Sequence, residues 1–313
     1  VIVNRIWKRH FGTGLVDTPS NFGINAEKPS HPELLDYLAQ FFVDHGMSIK
    51  ALHREILSSA AYQLSGAYSK ANADKDPGNR LYWRANRPRM TAEQIRDSVL
   101  FVSGALKTTV GGPSATLTPM SPRRTIYGRV SRYKLDEYLQ LFDFPSPSQT
   151  AEKRFSTNVP LQRLFFMNSD FMQQHAEKLA ERVGGEPTEE ERIQKAYRLI
   201  FGRTATAAEV QAGLEFLAAE PMKQYEEKKA EAEKAKAKAA SDGSKGMASA
   251  ETKTPEVKDG AAPDGPDAVE SGMMAGVGPQ KPGAKVTEPS LPITVFGRYL
   301  KVLLSSSEFL FVS

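Results

Sequence analysis

Cysteine is absent from the 313 residues. Disulfides, thiolate zinc sites, thiol nucleophiles and thioether attachment of haem are therefore excluded within this chain. No uninterrupted apolar run approaches about 18 residues, so no membrane-spanning helix is expected. The short signatures of familiar chemistry are missing as well. There is no HExxH, no GxSxG elbow, and no SxxK with its companion motifs. Gly111-Gly112-Pro113-Ser114 lacks the Gly-Lys-Ser/Thr that would complete a phosphate cradle. None of the five histidines falls in a short metal-ligand pattern, and no metal site is expected. The net charge is +4, too small to signal nucleic-acid binding by itself.

What is present is helix punctuation. Ser30-His31-Pro32-Glu33 has the capping-box spacing ahead of Leu34, Leu35, Leu38, Phe41 and Phe42, which share one helical face. Ser48 is placed to cap a helix burying Ile49, Leu52, Ile56 and Leu57. Thr91-Ala92-Glu93-Gln94 opens a helix through about Leu106. Asn158-Val159-Pro160 opens one through Arg182, and Thr188-x-x-Glu191 and Thr206-x-x-Glu209 open two more. Residues 125–130 read as a short extended segment, and 107–122 as loop.

Composition divides the chain. Residues 222–240 are rich in Ala, Glu and Lys without an apolar stripe, and suit a solvated helix. Residues 241–290 hold no Leu, Ile, Phe, Tyr or Trp. They offer too little apolar surface to offset an ordering cost of about 1–2 kcal/mol per residue, so disorder is expected. The apolar pattern returns over 291–313. The expectation is a mainly α protein. One helical domain occupies 1–221, a long insert 222–290 interrupts it, and a C-terminal helix in 291–313 completes it. Residue 1 is Val, within an amphipathic run, so the chain reads as the C-terminal part of something longer.

Charge is concentrated in the middle. Residues 70–134 hold 13 Lys and Arg against 4 Asp and Glu. Arg80, Arg84, Arg87, Arg89, Arg123 and Arg124, interleaved with aromatics, are the candidate anion-binding residues, because a guanidinium fork matches carboxylate, sulfate and phosphate. Their alternative role is to pair with carboxylates and cap helices inside the fold. His31, Asp36 and Asp143 are the weak candidates for proton transfer. For each the competing role is local, His31 at a helix start and Asp143 in a turn.

The ordered motifs also carry a resemblance. They begin Asn4-Arg5-x-Trp7, Phe11-Gly12-x-Gly14-Leu15 and His31-Pro32-Glu33-Leu34-Leu35-Asp36. They continue with Asp76-Pro77-x-Asn79-Arg80, Arg87-x-Arg89-Met90-x-Ala92-Glu93-x-Ile95-Arg96-Asp97 and Arg123-Arg124-x-x-Tyr127. They close with Phe142-Asp143-x-Pro145, Val159-Pro160-Leu161-Gln162, Phe201-Gly202-Arg203 and Ser307-Glu308-Phe309-Leu310. The set resembles the planctomycete-type domain of unknown function 1553. That resemblance implies an exported multidomain parent with a c-type cytochrome-like domain upstream. Haem c would sit there, and no cofactor is expected in this chain. Upstream domains of the same parent would be its partners, with a polyanion or polysaccharide as a further ligand and nucleic acid disfavoured. A docking or scaffolding module is the leading functional expectation. A hydrolase of an anionic polysaccharide and a non-catalytic polyanion binder are the alternatives. The long insert and Arg163 depart from the family's pattern.

Overall fold

A computed structural model describes residues 1–220, 273 and 294–311. Helix follows helix in it, and no strand occurs among the described residues. The helices are α1 (Ile2–Phe11), α2 (Pro32–Asp44), α3 (Ile49–Ser58), α4 (Lys70–Lys75), α5 (Ala92–Val102), α6 (Glu137–Leu141), α7 (Pro160–Asn168), α8 (Asp170–Val183) and α9 (Glu189–Phe201). Residues 207–220 form α10, and α11 (Val295–Leu304) and α12 (Ser307–Leu310) close the chain. The insert expected at 222–290 lies outside the described residues apart from Met273, which is buried in the main core.

The caps explain most boundaries. At α5 the Thr91 hydroxyl accepts from Gln94 N while the Gln94 side chain accepts from Thr91 N, a complete capping box. The helix stops at Val102, short of the expected Leu106, because Gly104 turns to positive φ. Ser48, Thr188 and Thr206 cap as expected. Ser30 does not. His31 takes the position before Pro32, and the Ser30 hydroxyl contacts His31 Nδ1 at 3.0 Å. The helix expected from 158 to 182 is two helices. Ser169 adopts an extended conformation, closes α7 with its N–H on Phe165 O, and caps α8 by accepting from Met172 N. Residues 125–130 divide into a 3-10 turn over Thr125–Tyr127 and an extended stretch at Gly128, which bridges Ala115.

Buried apolar side chains fall into two clusters. The larger draws on α5 to α12, with Ile95, Leu100, Phe165, Phe166, Phe171, Met172, Leu300 and Leu304 almost wholly excluded from solvent. Each such side chain contributes about 1.5–3 kcal/mol. Helix α11 lies against α8, and the approach depends on Gly297. A Cβ there would collide with the Glu177 carboxylate. That carboxylate accepts from Thr294 N at 3.0 Å and Thr294 Oγ1 at 2.7 Å, at the positive end of α11. The smaller cluster joins α1, α2 and α3 to Tyr82. Leu52 and Ile56 are buried there, whereas Ile49 and Leu57, expected inside, are exposed. Between the clusters, Lys153 pairs with Asp17 at 3.4 Å and Glu152 accepts from Ser20 N at 3.1 Å.

Candidate functional site

An open cleft of about 940 Å³ runs along one face of α5. Glu93 and Asp97 are one helical turn apart and both line it. Burial pushes the Glu93 carboxyl up, but hydrogen bonds from Arg154 and nearby groups outweigh this and hold it below its ordinary value. The Glu93–Arg154 pair is 2.7 Å long. Asp97 accepts from Thr125 N and Thr125 Oγ1, each at 2.7 Å, and faces Arg124 Nε at 3.5 Å. At the far end Glu308 is held by Arg203 at 2.6 Å. The lining carries Arg9, Arg124 and Arg154 against Glu93, Asp97 and Glu308, so it is charge-balanced. Between these charges Thr91, Gln94, Ser98 and Thr125 alternate with apolar side chains. Phe101 is 64% exposed and Ile126 70% exposed, with Val130 and Phe311 also open to solvent.

The rim is fixed from below by two buried polar side chains. Arg96 is fully buried and has no carboxylate partner among the described residues. Its Nη1 donates to Arg123 O at 2.9 Å and Thr125 Oγ1 at 3.2 Å, and its Nη2 donates to Ser121 O at 2.5 Å and Thr118 O at 3.4 Å. One guanidinium thus gathers the 118–125 loop under the cleft. His175 does the same from α8. Its Nε2 sits 3.2 Å from Pro119 O and its Nδ1 2.9 Å from Ser103 Oγ. Because a carbonyl only accepts, Nε2 is a nitrogen that carries a proton. Burial lowers its pKa to about 4.

A second cavity, about 520 Å³, lies in the small cluster between the 11–15 loop and the 78–88 loop. Asn79 organises the second loop. Its Nδ2 donates to Arg84 O and Asn86 Oδ1, each at 2.8 Å, and Asn86 Nδ2 donates to Phe11 O at 2.9 Å. Asn79 and Tyr82 hold positive φ angles of 52° and 53°, unusual for residues with a Cβ and a form of strain that collects at binding sites. The Tyr82 hydroxyl accepts from Trp7 Nε1 at 2.9 Å, which fastens this loop to α1.

The six arginines do not meet in one place. Arg80 and Arg87 line the smaller cavity. Arg84 stacks over Trp83. Arg89 donates to Thr157 O, and Arg123 donates to Gly111 O and Pro113 O while covering the Tyr127 ring. Arg124 pairs with Asp97 in the cleft. The acid–base candidates are likewise dispersed. His31 precedes α2 and packs against Tyr82, Asp36 is exposed on α2, and Asp143 accepts from Thr157 N and Oγ1 at 2.7 and 2.9 Å. The structure adds what spacing along the chain did not reveal. Glu93, Asp97 and Arg154 converge, and His10 Nε2 meets His53 Nδ1 at 2.7 Å across α1 and α3. Burial, then the facing His53, lowers the His10 pKa. The i, i+4 spacing of Glu93 and Asp97 was readable, but their guanidinium partners lie far along the chain.

The architecture is an all-helical module with no cluster of three or more metal-ligating side chains among the described residues. The family described as Protein of unknown function (DUF1553), also termed PSD1, matches residues 1–217, and the chain belongs to that family. No curated protein and no solved structure shows a significant match.

Proposed function

We propose that this chain is a non-catalytic docking module of an exported multidomain protein. Its partner is the haem-bearing, c-type cytochrome-like part of the same parent, and the large cleft receives an apolar polypeptide segment from it. The observation that carries this reading is the state of the cleft's carboxylates. Glu93, Asp97 and Glu308 are each paired with a guanidinium, and Phe101 and Ile126 stand exposed between them. A charge-balanced groove with unpartnered apolar side chains favours an apolar segment over a charged one.

Isothermal titration of the chain with the separately produced haem-bearing part tests this. Saturable binding is expected, with Kd on the order of micromolar, weakened at least tenfold by Phe101→Asp combined with Ile126→Asp. Undiminished binding by that variant, or no binding at several hundred micromolar, would overturn it.

Non-catalytic polyanion binding is the second reading. It is favoured by Arg80, Arg87 and Lys28 lining one cavity. Hydrolysis of an anionic polysaccharide has less support, since His31, Asp36 and Asp143 share no cavity with those arginines.

A further inference from the structure

The smaller cavity has a chemistry of its own. Its cations are Arg80, Arg87 and Lys28, and none of the three forms an ion pair among the described residues. This sets them apart from Arg124, Arg154 and Arg203, all of which do. Arg87 is also held in place. It packs so closely on Gly66 that a Cβ there would lie 2.8 Å from its Nε. The opposite wall is equally constrained. Gly14 has no room for a side chain, because a Cβ would meet Val16 O at 2.5 Å and the Asn4 amide at 2.8 Å. Ser30 N donates to Leu15 O at 2.8 Å and so ties the base of the cavity to that wall. These contacts make a shaped recess, with two strained residues, Asn79 and Tyr82, in its floor.

Two acids share the recess, Asp17 and Glu27. They distinguish between anionic ligands. A ligand with several close negative charges would be repelled by them. A ligand with one carboxylate and several hydroxyls would use both kinds of group: guanidinium forks for its acid, and carboxylates as acceptors for its hydroxyls. Thr13, Ser30 and Asn86 add neutral polar groups, and Phe11 and Tyr82 add apolar edges. A volume of about 520 Å³ is in the usual range for a small-ligand site.

We propose that this recess binds an acidic sugar, one uronate-type residue whose carboxylate is held by Arg80 and Arg87 and whose hydroxyls face Asp17 and Glu27. The proposal rests on the anion-binding reading given above and narrows its ligand to a single charge on a polyhydroxyl ring. No bond is made or broken.

Titration calorimetry of the whole chain with glucuronate, glucose, inorganic phosphate and heparin tests it. Glucuronate is expected to bind at one site, at least tenfold tighter than glucose or phosphate. The change from 50 to 200 mM salt should be only a few-fold, as for one neutralised charge. Arg80→Gln, an exposed position, should weaken glucuronate at least tenfold without altering the circular dichroism spectrum; Lys28→Gln is a second surface variant expected to weaken it. Glucuronate binding no tighter than glucose or phosphate would overturn the proposal, as would binding indifferent to both variants. Steeply salt-dependent heparin binding without glucuronate binding would overturn it while leaving polyanion recognition standing. Absence of both would remove the two together.

Discussion

The two apolar clusters of this protein are built by different means. In the larger one, helices from distant parts of the chain bury whole faces against each other, and the polar groups inside are wholly enclosed. Arg96 and His175 have no access to water and are held by backbone carbonyls and one hydroxyl each. In the smaller one, three helices and a strained loop are joined through aromatic edges and half-open polar contacts. Trp7, Phe11 and Tyr82 meet at 4.1 to 5.5 Å between ring centroids, and His10 and His53 share one hydrogen bond near the surface. The same residue types thus carry different energetic weight in the two places. A buried polar group in the first cluster has no alternative partner, whereas the half-buried His10–His53 pair of the second has water close by.

That contrast can be pressed hardest at Arg96. Arg96→Ala leaves several buried carbonyls of the 118–125 loop without a donor and should cost about 3–5 kcal/mol, read as a fall in the urea midpoint. Lysine at the same position should rescue little, because an ammonium lacks the planar fork that reaches four acceptors.

His175 comes next. Its folded pKa of about 4 lies below the ordinary histidine value of 6.5. Between these values the unfolded chain binds the proton and the folded chain does not. The stability from the neutral buried ring is therefore complete above about pH 6.5. It is lost as pH falls toward 4, by about 3 kcal/mol in total. Urea midpoints of the wild type and His175→Gln, measured from pH 7 to 4, should differ in slope over that window. Equal slopes would place the acid sensitivity elsewhere.

In the small cluster Tyr82→Phe removes the acceptor of the Trp7 indole and should cost about 1–2 kcal/mol. Hydrogen exchange should quicken in α1 and α3 and stay unchanged in α5 and α8. The smallest effect belongs to the surface. Arg203 bridges Glu209 and Glu308, and its hydrogen bonds hold Glu209 down to about 2. The trio remains about a third exposed, so Arg203→Ala should cost no more than about 1 kcal/mol, and less in high salt.

The sequence made the helices and many of their starts readable because capping is local. Thr91, Thr188, Thr206 and Ser48 sit within three residues of the groups they satisfy. It misled where a local pattern had two solutions. Ser30 and His31 both precede Pro32, and only His31 occupies the cap position. Nothing in the run from 158 to 182 announced that Ser169 would end one helix and begin another. The sites were less legible. A cluster of arginines along the chain suggested one anion surface, but the fold sends them to different tasks. The pairing of Glu93 with Arg154 spans 61 residues, and that of His10 with His53 spans 43. Such meetings depend on how helices pack, which periodicity does not specify.

The cleft along α5 is the centre of the functional reading, and amide hydrogen exchange tests it most directly. The chain would be measured alone and with the proposed partner, a c-type cytochrome-like domain. Docking in the cleft predicts slowed exchange in α5, residues 124–130 and α12, with the 11–15 and 78–88 loops unchanged. No slowing in the cleft, or slowing confined to those two loops, would contradict it.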